Sequence, residues 1–409
     1  MSEANFNNLD DFELDNNSTP FCQKSKKVLV FIIILLVVII PTIVFLFYFF
    51  LISPKEEEEE ETKVVEINCK GNYSIEAKYY VEQENKTIDL IHKKYAYNIL
   101  ELIIDDIKMN KSFTSYTFNS KGLHTACFLL NLKNLTGLTY MFDYISNMTS
   151  IKFSLFNTEN ITDMSCMFSH TSLSSIDVSN FNTRNVTDMS SMFAYMYYLK
   201  SIDISKFMTQ SLVYAQYMFK YDFNLRSITL PTFNSPNLKT IKEMFSWCYF
   251  LKSVDLSNFN APNLRSINNL FSHSYALTTV NFKGFNAPKL IEMFSAFDNC
   301  LSLKSADLSS LKSNGTIANV YDMFYNCTSL TSVKLSNISP VTVDQIFYYC
   351  PKLTYIDISS FNINNAESMF NKLPAKGTIL IGQNISDLIK EEIPKNWVVK
   401  YVNNADIKN

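Results

Sequence analysis

The sequence predicts a repeat solenoid, in which about ten short turns stack on one another. Phenylalanine recurs ten times at intervals of 23 to 27 residues, and in seven copies the residue before it is methionine. A short, regular period is typical of stacked repeats, because one turn cannot bury its apolar face without neighbours. The ten positions are Phe142, Phe168, Phe193, Phe219, Phe245, Phe271, Phe297, Phe324, Phe347 and Phe370.

The composition narrows the class of protein further. The chain has 409 residues, is 47% hydrophobic and carries a net charge of −3, so it can bury a core but has no basic excess for nucleic acid. It contains 7 glycines against 33 phenylalanines and 23 tyrosines, so glycine-rich phosphate-binding loops are not expected. We therefore expect no nucleic-acid partner and no cofactor.

Residues 28–52 form an uncharged, apolar segment that predicts one transmembrane helix. Such a helix would be ~37 Å long, enough to cross a hydrocarbon core of ~30 Å with some tilt. A cleaved signal peptide is the alternative. The apolar run is too long for one, and no small-x-small cleavage pattern follows it. We therefore expect a retained signal anchor that binds the protein to the lipid bilayer.

The charges beside this segment predict its orientation. Three lysines lie between positions 24 and 27, whereas Glu56–Glu61 follow the segment. The positive-inside rule then places residues 1–27 in the cytoplasm as a tail and the C-terminal ectodomain outside the cell, in a single-pass plasma-membrane protein. Residues 53–63 are predicted to form an extended acidic stalk, because their negative charges repel one another. An internal membrane stays an alternative if the ectodomain faces an organelle lumen.

Apolar residues recur at fixed distances from each phenylalanine, which predicts ladders of stacked side chains. The stretch from Leu251 to Phe259 predicts a parallel β-strand, with Val254 pointing inward and Ser253 and Asp255 outward. The Met-Phe segment reads as one helical or 3₁₀ turn before the strand. The leucine ladder, six positions after the phenylalanine, comprises Leu199, Leu225, Leu251, Leu277, Leu303, Leu330 and Leu353.

One copy carries a resemblance to a known family. The segment FNTRNVTDMSSMF at 181–193, continued by LKSIDIS at 199–205, resembles the repeat of BspA-like leucine-rich-repeat surface proteins. It is most similar to the variant of mycoplasma lipoproteins, which also occurs in protists. The resemblance covers residues 139–370 and is weakest in the copies that end at Phe219 and Phe347. It implies a leucine-rich-repeat-like solenoid that serves as an exposed adhesion scaffold, and it transfers no catalytic residue.

The flanking residues do not follow the period. Apolar residues alternate along positions 75–81, so we expect residues 64–138 to form a β-rich N-terminal cap. Residues 371–409 are expected to form an α/β C-terminal cap, because exposed solenoid ends favour aggregation. Its expected strand, helix and last strand lie at Thr378–Ile381, Ile385–Ile393 and Trp397–Val402.

Outward-pointing strand residues predict a polar face. Acids in this column alternate with neutral or basic residues, which avoids repulsion between carboxylates ~5 Å apart. One interpretation is a face that binds a ligand or Ca²⁺, and the other is an outer surface that only keeps the protein soluble. The candidate ligand-face residues are Ser201, Asp203, Ser253, Asp255, Ser305 and Asp307.

Four cysteines share the column three positions after the phenylalanine, which predicts a ladder of buried thiols. A metal site is weakly supported because the chain has no C-x-x-C motif. Cys69 and Cys127 both lie in the N-terminal cap, where an extracellular location would permit a disulfide, although sequence alone leaves the pairing open. The column cysteines are Cys248, Cys300, Cys327 and Cys350.

Acceptor motifs for N-glycosylation are frequent, partly because asparagine is abundant. Those at Asn160 and Asn185 precede buried columns, so we expect them to be blocked. The remaining candidates are Asn72, Asn85, Asn110, Asn134, Asn147, Asn314, Asn326 and Asn384.

Together these patterns favour a membrane-anchored cell-surface scaffold for binding or adhesion. It would recognise protein or glycan ligands on host or neighbouring cells through the repeat face. The alternative is a passive structural coat protein without a specific ligand. An ectoenzyme is disfavoured, because the four histidines do not group with serine, cysteine or aspartate as catalysis requires.

Overall fold

The computed structural model describes Cys69 and residues 73–311, 317–363, 368–383 and 385–402. All of these residues belong to one compact unit, Ile67–Asn409. The expected tail, transmembrane anchor and acidic stalk lie outside the described residues. Among the described residues, no helix combines the length and the apolar character needed to cross a bilayer.

The N-terminal part is an antiparallel β-structure. Five strands form one sheet in the order β4-β3-β6-β1-β7, and β2 pairs with β5. A 3₁₀ helix at Lys93–Asn98 precedes β3. The strands are β1 Ile75–Val81, β2 Lys86–Asp89, β3 Ile99–Ile104, β4 Ile107–Lys108, β5 Ser115–Phe118, β6 Gly122–Leu130 and β7 Met148–Phe153.

The apolar alternation along β1 produces this sheet. Ile75, Ala77, Tyr79 and Val81 are buried, whereas the residues between them are more exposed. The Tyr79 hydroxyl donates a hydrogen bond to the carbonyl of Leu90 at 2.7 Å, which satisfies its buried oxygen. Strand β7 follows the first repeat phenylalanine and pairs with β1, so the sheet ends on the first turn of the solenoid.

The repeats form a parallel, leucine-rich-repeat-like β-solenoid of about eight turns. Eight parallel β-bridges connect successive turns from Gly137 to Thr342. Each bridged residue lies five positions before a repeat phenylalanine. The sequence predicted about ten turns. The equivalent position of the tenth copy, residue 365, lies outside the described residues.

The solenoid strands are short and pair in parallel. The expected C-terminal strands continue the parallel sheet, in the order β14-β16-β18-β19-β20, and helix α1 (Asp387–Glu392) connects its last two strands. The strands are β8 Ser201–Asp203, β9 Ser227–Thr229, β10 Phe233–Asn234, β11 Ser253–Asp255, β12 Phe259–Asn260, β13 Thr279–Asn281, β14 Ser305–Asp307, β15 Ile317–Asn319, β16 Ser332–Lys334, β17 Pro340–Thr342, β18 Tyr355–Ile358, β19 Thr378–Gly382 and β20 Val398–Val402.

A continuous stack of phenylalanine rings forms the centre of the core. From Phe142 to Phe347, successive rings lie 5.2 to 6.0 Å apart between centroids and are nearly parallel. All of them are buried. Each ring covers the face of the next, so every turn completes the core of its neighbours.

The Met-Phe segment is neither the helical nor the 3₁₀ turn that the sequence predicts. Residues two before and two after the phenylalanine, such as Ser191 and Tyr195, have left-handed φ angles of 52° and 62°. The Phe193 N–H donates to the carbonyl of Met218 in the next turn at 3.0 Å, as does Tyr195 to Lys220 at 2.8 Å. The left-handed residues therefore direct backbone hydrogen bonds along the solenoid axis. We call this segment the Met-Phe turn.

The cysteine column has a structural role. Cys248 donates its thiol to the carbonyl of Phe219 in the preceding turn at 3.1 Å, and Cys300 donates to Phe271 at 3.2 Å. Ser274 occupies the same column and donates its hydroxyl to Phe245 at 2.7 Å. The column thus supplies a small buried donor for a carbonyl oxygen that would otherwise lack a second partner. Burial raises the pKa of the Cys248 and Cys300 thiols well above their ordinary range.

Asp222 places an acid in this column. Its carboxyl group is fully buried, and Oδ1 accepts a hydrogen bond from the Met196 N–H at 2.8 Å. Oδ2 has no hydrogen-bond partner among the described residues. Burial raises the pKa of Asp222 well above its ordinary range, so the neutral acid is favoured.

We expect Asp222→Asn to stabilise the protein at pH 7 and to have little effect at pH 4. The folded state keeps a proton that the unfolded chain releases near pH 4, so the free energy of unfolding falls as pH rises above about 4. Asparagine does not ionise, so the variant should not show this fall in the free energy of unfolding. Urea denaturation at several pH values measures the effect. Asp203→Asn is the control: hydrogen bonds from Ser205 lower the pKa of Asp203, so its pH dependence has the opposite sign. Equal pH dependence of Asp222→Asn and the unmodified protein would contradict the expectation.

Candidate interaction surface

The structure places the candidate ligand-face residues on the outer side of three strands. Within β8, β11 and β14, the serine and the aspartate are exposed and the residue between them is buried. The three strands do not share a sheet: β8 pairs with β9, β11 with β13, and β14 with β16. The six residues therefore lie on one side of the solenoid but in three separate sheet segments.

The aspartates of this face are engaged in local hydrogen bonds. Asp203 accepts a hydrogen bond from the Ser205 N–H at 2.8 Å, and Asp255 from the Ser257 N–H at 2.9 Å. These bonds lower the pKa of both carboxyls. Among the described residues, no group of three or more histidine, cysteine or acidic side chains is placed to hold a metal ion. The aspartates thus stabilise the turn after each strand, as Asx turns do.

A second surface lies on the Met-Phe turns. Aromatic and imidazole rings occupy the positions two and four residues after the repeat phenylalanine in several consecutive turns, and we call them the aromatic surface. Its first lane consists of Tyr144, His170, Tyr195, Tyr221, Trp247 and His273, and its second lane of Tyr197, Phe223, Tyr249 and Tyr275.

Most neighbouring rings of each lane stack along the solenoid axis, although Trp247 and His273 meet edge to face at 61°. In the first lane, the Tyr195 ring centroid lies 4.3 Å from that of His170 and 4.8 Å from that of Tyr221. In the second lane, the Phe223 centroid lies 5.2 Å from Tyr197 and 4.6 Å from Tyr249. The two lanes meet edge to face, at 89° between Tyr195 and Tyr197 and 85° between Tyr221 and Phe223. The surface is thus a rigid double row of rings.

The local backbone explains why the rings reach the surface. The first-lane residue has a left-handed φ, for example 64° at Trp247, and the next residue points into the core. Cys248 is accordingly fully buried between the half-buried rings of Trp247 and Tyr249. The motifs YMY, YDF, WCY and HSY carry this pattern. The rings were not predicted from the sequence as a surface, because the cysteine between Trp247 and Tyr249 indicates a buried column and the histidines occur in only two of the turns.

Charged groups flank the first lane. Lys220 Nζ lies 5.2 and 4.9 Å from the ring centroids of Tyr217 and Tyr221, and 2.6 Å from Glu243 Oε2. Although burial opposes it, the bond to Glu243 raises the pKa of Lys220. Burial lowers the pKa of His273, at one end of the lane, to about 4. His273 is therefore neutral at pH 7, and Lys220 at the centre of the lane is paired with Glu243.

Burial also affects an acid next to this lane. His273 Nε2 lies 4.0 Å from Asp298 Oδ2, which accepts a hydrogen bond from the Ser272 hydroxyl at 3.1 Å. Burial raises the pKa of Asp298 to about 7, and the hydrogen bond from Ser272 only partly offsets it. Near neutral pH, this end of the aromatic surface therefore changes charge through Asp298 rather than through the histidine.

The structure joins Cys69 and Cys127 in a disulfide, with the Cα atoms 6.0 Å apart.

Among the glycosylation candidates, Asn147 and Asn326 are half-buried and their side-chain amides donate hydrogen bonds to Tyr80 and Asn299. Asn72, Asn314 and Asn384 lie outside the described residues. The exposed asparagines are Asn85, Asn110, Asn134, Asn160 and Asn185, so burial does not block the last two as the sequence suggested.

Comparison with known families agrees with this architecture. A family described as Mycoplasma protein of unknown function matches residues 108–228, 136–253, 197–311 and 222–338, which together exceed half of the chain. The BspA type leucine-rich repeat region, with six copies, matches residues 293–396. The fold is thus that of a leucine-rich-repeat scaffold. The chain belongs to the BspA-like leucine-rich-repeat family, which confirms the resemblance seen in the repeats.

Several solved structures are similar to parts of the chain. A leucine-rich repeat protein from Bacteroides ovatus is 16% identical, with a TM-score of 0.41 over 66% of this chain and 76% of its own. One from T. pallidum is 17% identical, with a TM-score of 0.25 over 54% and 79%. One from Leptospira interrogans is 12% identical, with a TM-score of 0.21 over 59% and 79%. No curated protein matches the chain.

Proposed function

We propose that the protein is a membrane-anchored cell-surface scaffold that binds a protein partner through the aromatic surface. The repeat fold supports an interaction scaffold in general, and the double row of rings is the observation that carries the proposal. Tyrosine and tryptophan are enriched at protein interfaces, because they offer a large rigid contact area with a polar group at the tip. Their mutual stacking here also removes most of the conformational entropy that binding would otherwise cost.

The stacking favours a protein over a glycan as the partner. A sugar ring packs against the free face of an aromatic ring. Both faces of Tyr195 are covered, by His170 on one side and Tyr221 on the other. At the centre of the first lane the ring faces are therefore not free to stack on a sugar, whereas ring edges suit side-chain packing with a protein.

The location is part of the proposal. The apolar segment 28–52 and its flanking charges support a single-pass anchor with residues 1–27 in the cytoplasm. The disulfide between Cys69 and Cys127 supports an oxidising, extracellular environment for the ectodomain. Protease treatment of intact cells tests the topology, and an ectodomain that stays protected would contradict surface display.

We expect the full-length protein in lipid nanodiscs to bind a protein probe saturably, in a manner that tolerates salt. The probes are immobilised collagen, fibronectin and laminin, intact host cells, and a glycan array that should stay empty. Tyr197→Ser combined with Tyr249→Ser should weaken binding about tenfold or more, as loss of central tyrosines does at protein interfaces.

Tyr321→Ser is the matched control for this experiment. Tyr321 is 39% exposed, similar to Tyr197 at 38%, but it lies outside the aromatic surface. Its replacement should leave binding unchanged. If the folded protein binds none of the probes, the proposal is wrong and the passive coat interpretation is favoured. Binding that survives the double replacement would place the contact elsewhere.

A further inference from the structure

The strand side of the solenoid is interrupted between β9 and β11. Asp203 in β8 pairs with Thr229 in β9, and Asp255 in β11 pairs with Asn281 in β13, but no ladder joins β9 to β11. Pro231 stands where the neighbouring turns have a serine whose N–H binds the aspartate. Because proline has no N–H, this turn cannot form the same local structure.

The interruption opens a cleft of about 190 Å³. Ile228, Leu230 and Phe233 form apolar parts of its wall, and Asp255 of the next turn also lines it. Leu230 is half-buried, whereas the equivalent residues of the two adjacent turns, Ile204 and Leu256, are 1% and 2% exposed. Ile228 is also half-buried. At Leu230 the cleft therefore exposes apolar surface that the adjacent turns bury.

The cleft also carries an uncompensated negative charge. Asp255 Oδ1 accepts hydrogen bonds from Ser257 and from the Asn281 side-chain amide at 3.0 Å, and these bonds keep the pKa of Asp255 low. Within residues 73–311, no ion pair neutralises this carboxylate. Asp307, two turns further on, is by contrast 3.2 Å from Lys334 Nζ. An apolar wall beside a free carboxylate suits a ligand with an aliphatic stem and a cationic head.

We propose that this cleft binds a primary alkylammonium group, with its stem against Ile228, Leu230 and Phe233 and its charge at Asp255. A lysine side chain fits this description, because it has a four-carbon stem and a compact charge. Arginine fits less well: Asp255 Oδ1 is already engaged, which leaves no free bidentate carboxylate. The same group could come from a partner protein's lysine or from a free diamine. Amine binding at this cleft does not depend on the aromatic surface.

Calorimetric titration of the full-length protein in nanodiscs tests the proposal. The probes are Nα-acetyl-lysine methylamide, whose side-chain amine is free, and the diamine cadaverine. Nα-acetyl-norleucine methylamide is the uncharged analogue of the lysine derivative. Saturable binding of the lysine derivative or of cadaverine, without binding of the norleucine derivative, is expected. The stronger of the two amines identifies the source of the ligand.

Substitutions show whether the cleft is responsible. Asp255→Asn should weaken amine binding about tenfold or more, because the ammonium loses the carboxylate that carries the charge of the cleft. Asp307→Asn is the control, since its carboxylate is already paired with Lys334, and binding should not change. Circular dichroism checks that both variants fold. Absence of amine binding, or equal binding by Asp255→Asn and the unmodified protein, would overturn the proposal.

Discussion

Replacing Phe245 by alanine is expected to lower the free energy of unfolding by about 3–5 kcal/mol. The Phe245 ring is fully buried, and its centroid lies 5.7 Å from that of Phe219 and 5.5 Å from that of Phe271. Alanine would leave a cavity between two rings that the backbone hydrogen bonds of the adjacent turns hold apart. The neighbours therefore cannot collapse into the space, and the cost should fall at the upper end of the range.

Denaturation by guanidinium chloride, followed by circular dichroism, measures this effect. Phe250→Ala is the control, because Phe250 is 43% exposed and lies only five residues further along the same turn. We expect its replacement to change stability by about 0.5 kcal/mol or less. Similar losses for the two variants would show that the phenylalanine stack does not hold the turns together.

Replacing Cys69 and Cys127 together by alanine should destabilise the N-terminal sheet by about 4 kcal/mol. The disulfide spans 58 residues, so it removes much of the freedom of the unfolded chain. Cys127 belongs to β6, which lies between β3 and β1 in the sheet. Loss of the crosslink should therefore loosen the central strands first.

Hydrogen exchange along β1, β3 and β6 measures this loss locally, and a reducing agent should reproduce it in the unmodified protein. Cys166→Ala serves as the control, since Cys166 is a half-buried free thiol in the solenoid. It should leave exchange in the sheet unchanged. Unaltered exchange in the double variant would mean that the bridge contributes nothing to the sheet.

Repetition made the solenoid predictable from the sequence. Val254 and Leu256 are buried and Ser253 and Asp255 exposed, as the alternation in that stretch indicated. The repeat phenylalanines also stack as the columns required. Every turn has to bury one apolar face, so the same residue pattern recurs in ten copies. A pattern that recurs ten times is readily distinguished from a chance similarity.

The Met-Phe turn was not predictable in this way. Tyr195, Tyr221 and Trp247 adopt left-handed φ angles, but none of them is a glycine, the residue that normally signals this conformation. The residue types therefore do not distinguish this segment from a helical or 3₁₀ turn, and they do not indicate that its rings reach the surface. The sequence does indicate the interruption of strand pairing beside Pro231, because proline disfavours a central strand position.

The left-handed positions have a consequence for how the protein folds. Among the described residues, twenty in the Met-Phe turns have φ between 50° and 65°, and none is glycine. Each costs roughly 1–2 kcal/mol, so a single turn with two of them is unfavourable alone. The hydrogen bonds that compensate, such as Phe193 to Met218, form only when the next turn is already in place. Folding should therefore start with a costly nucleus of two or more turns and then propagate along the rod, one copy at a time.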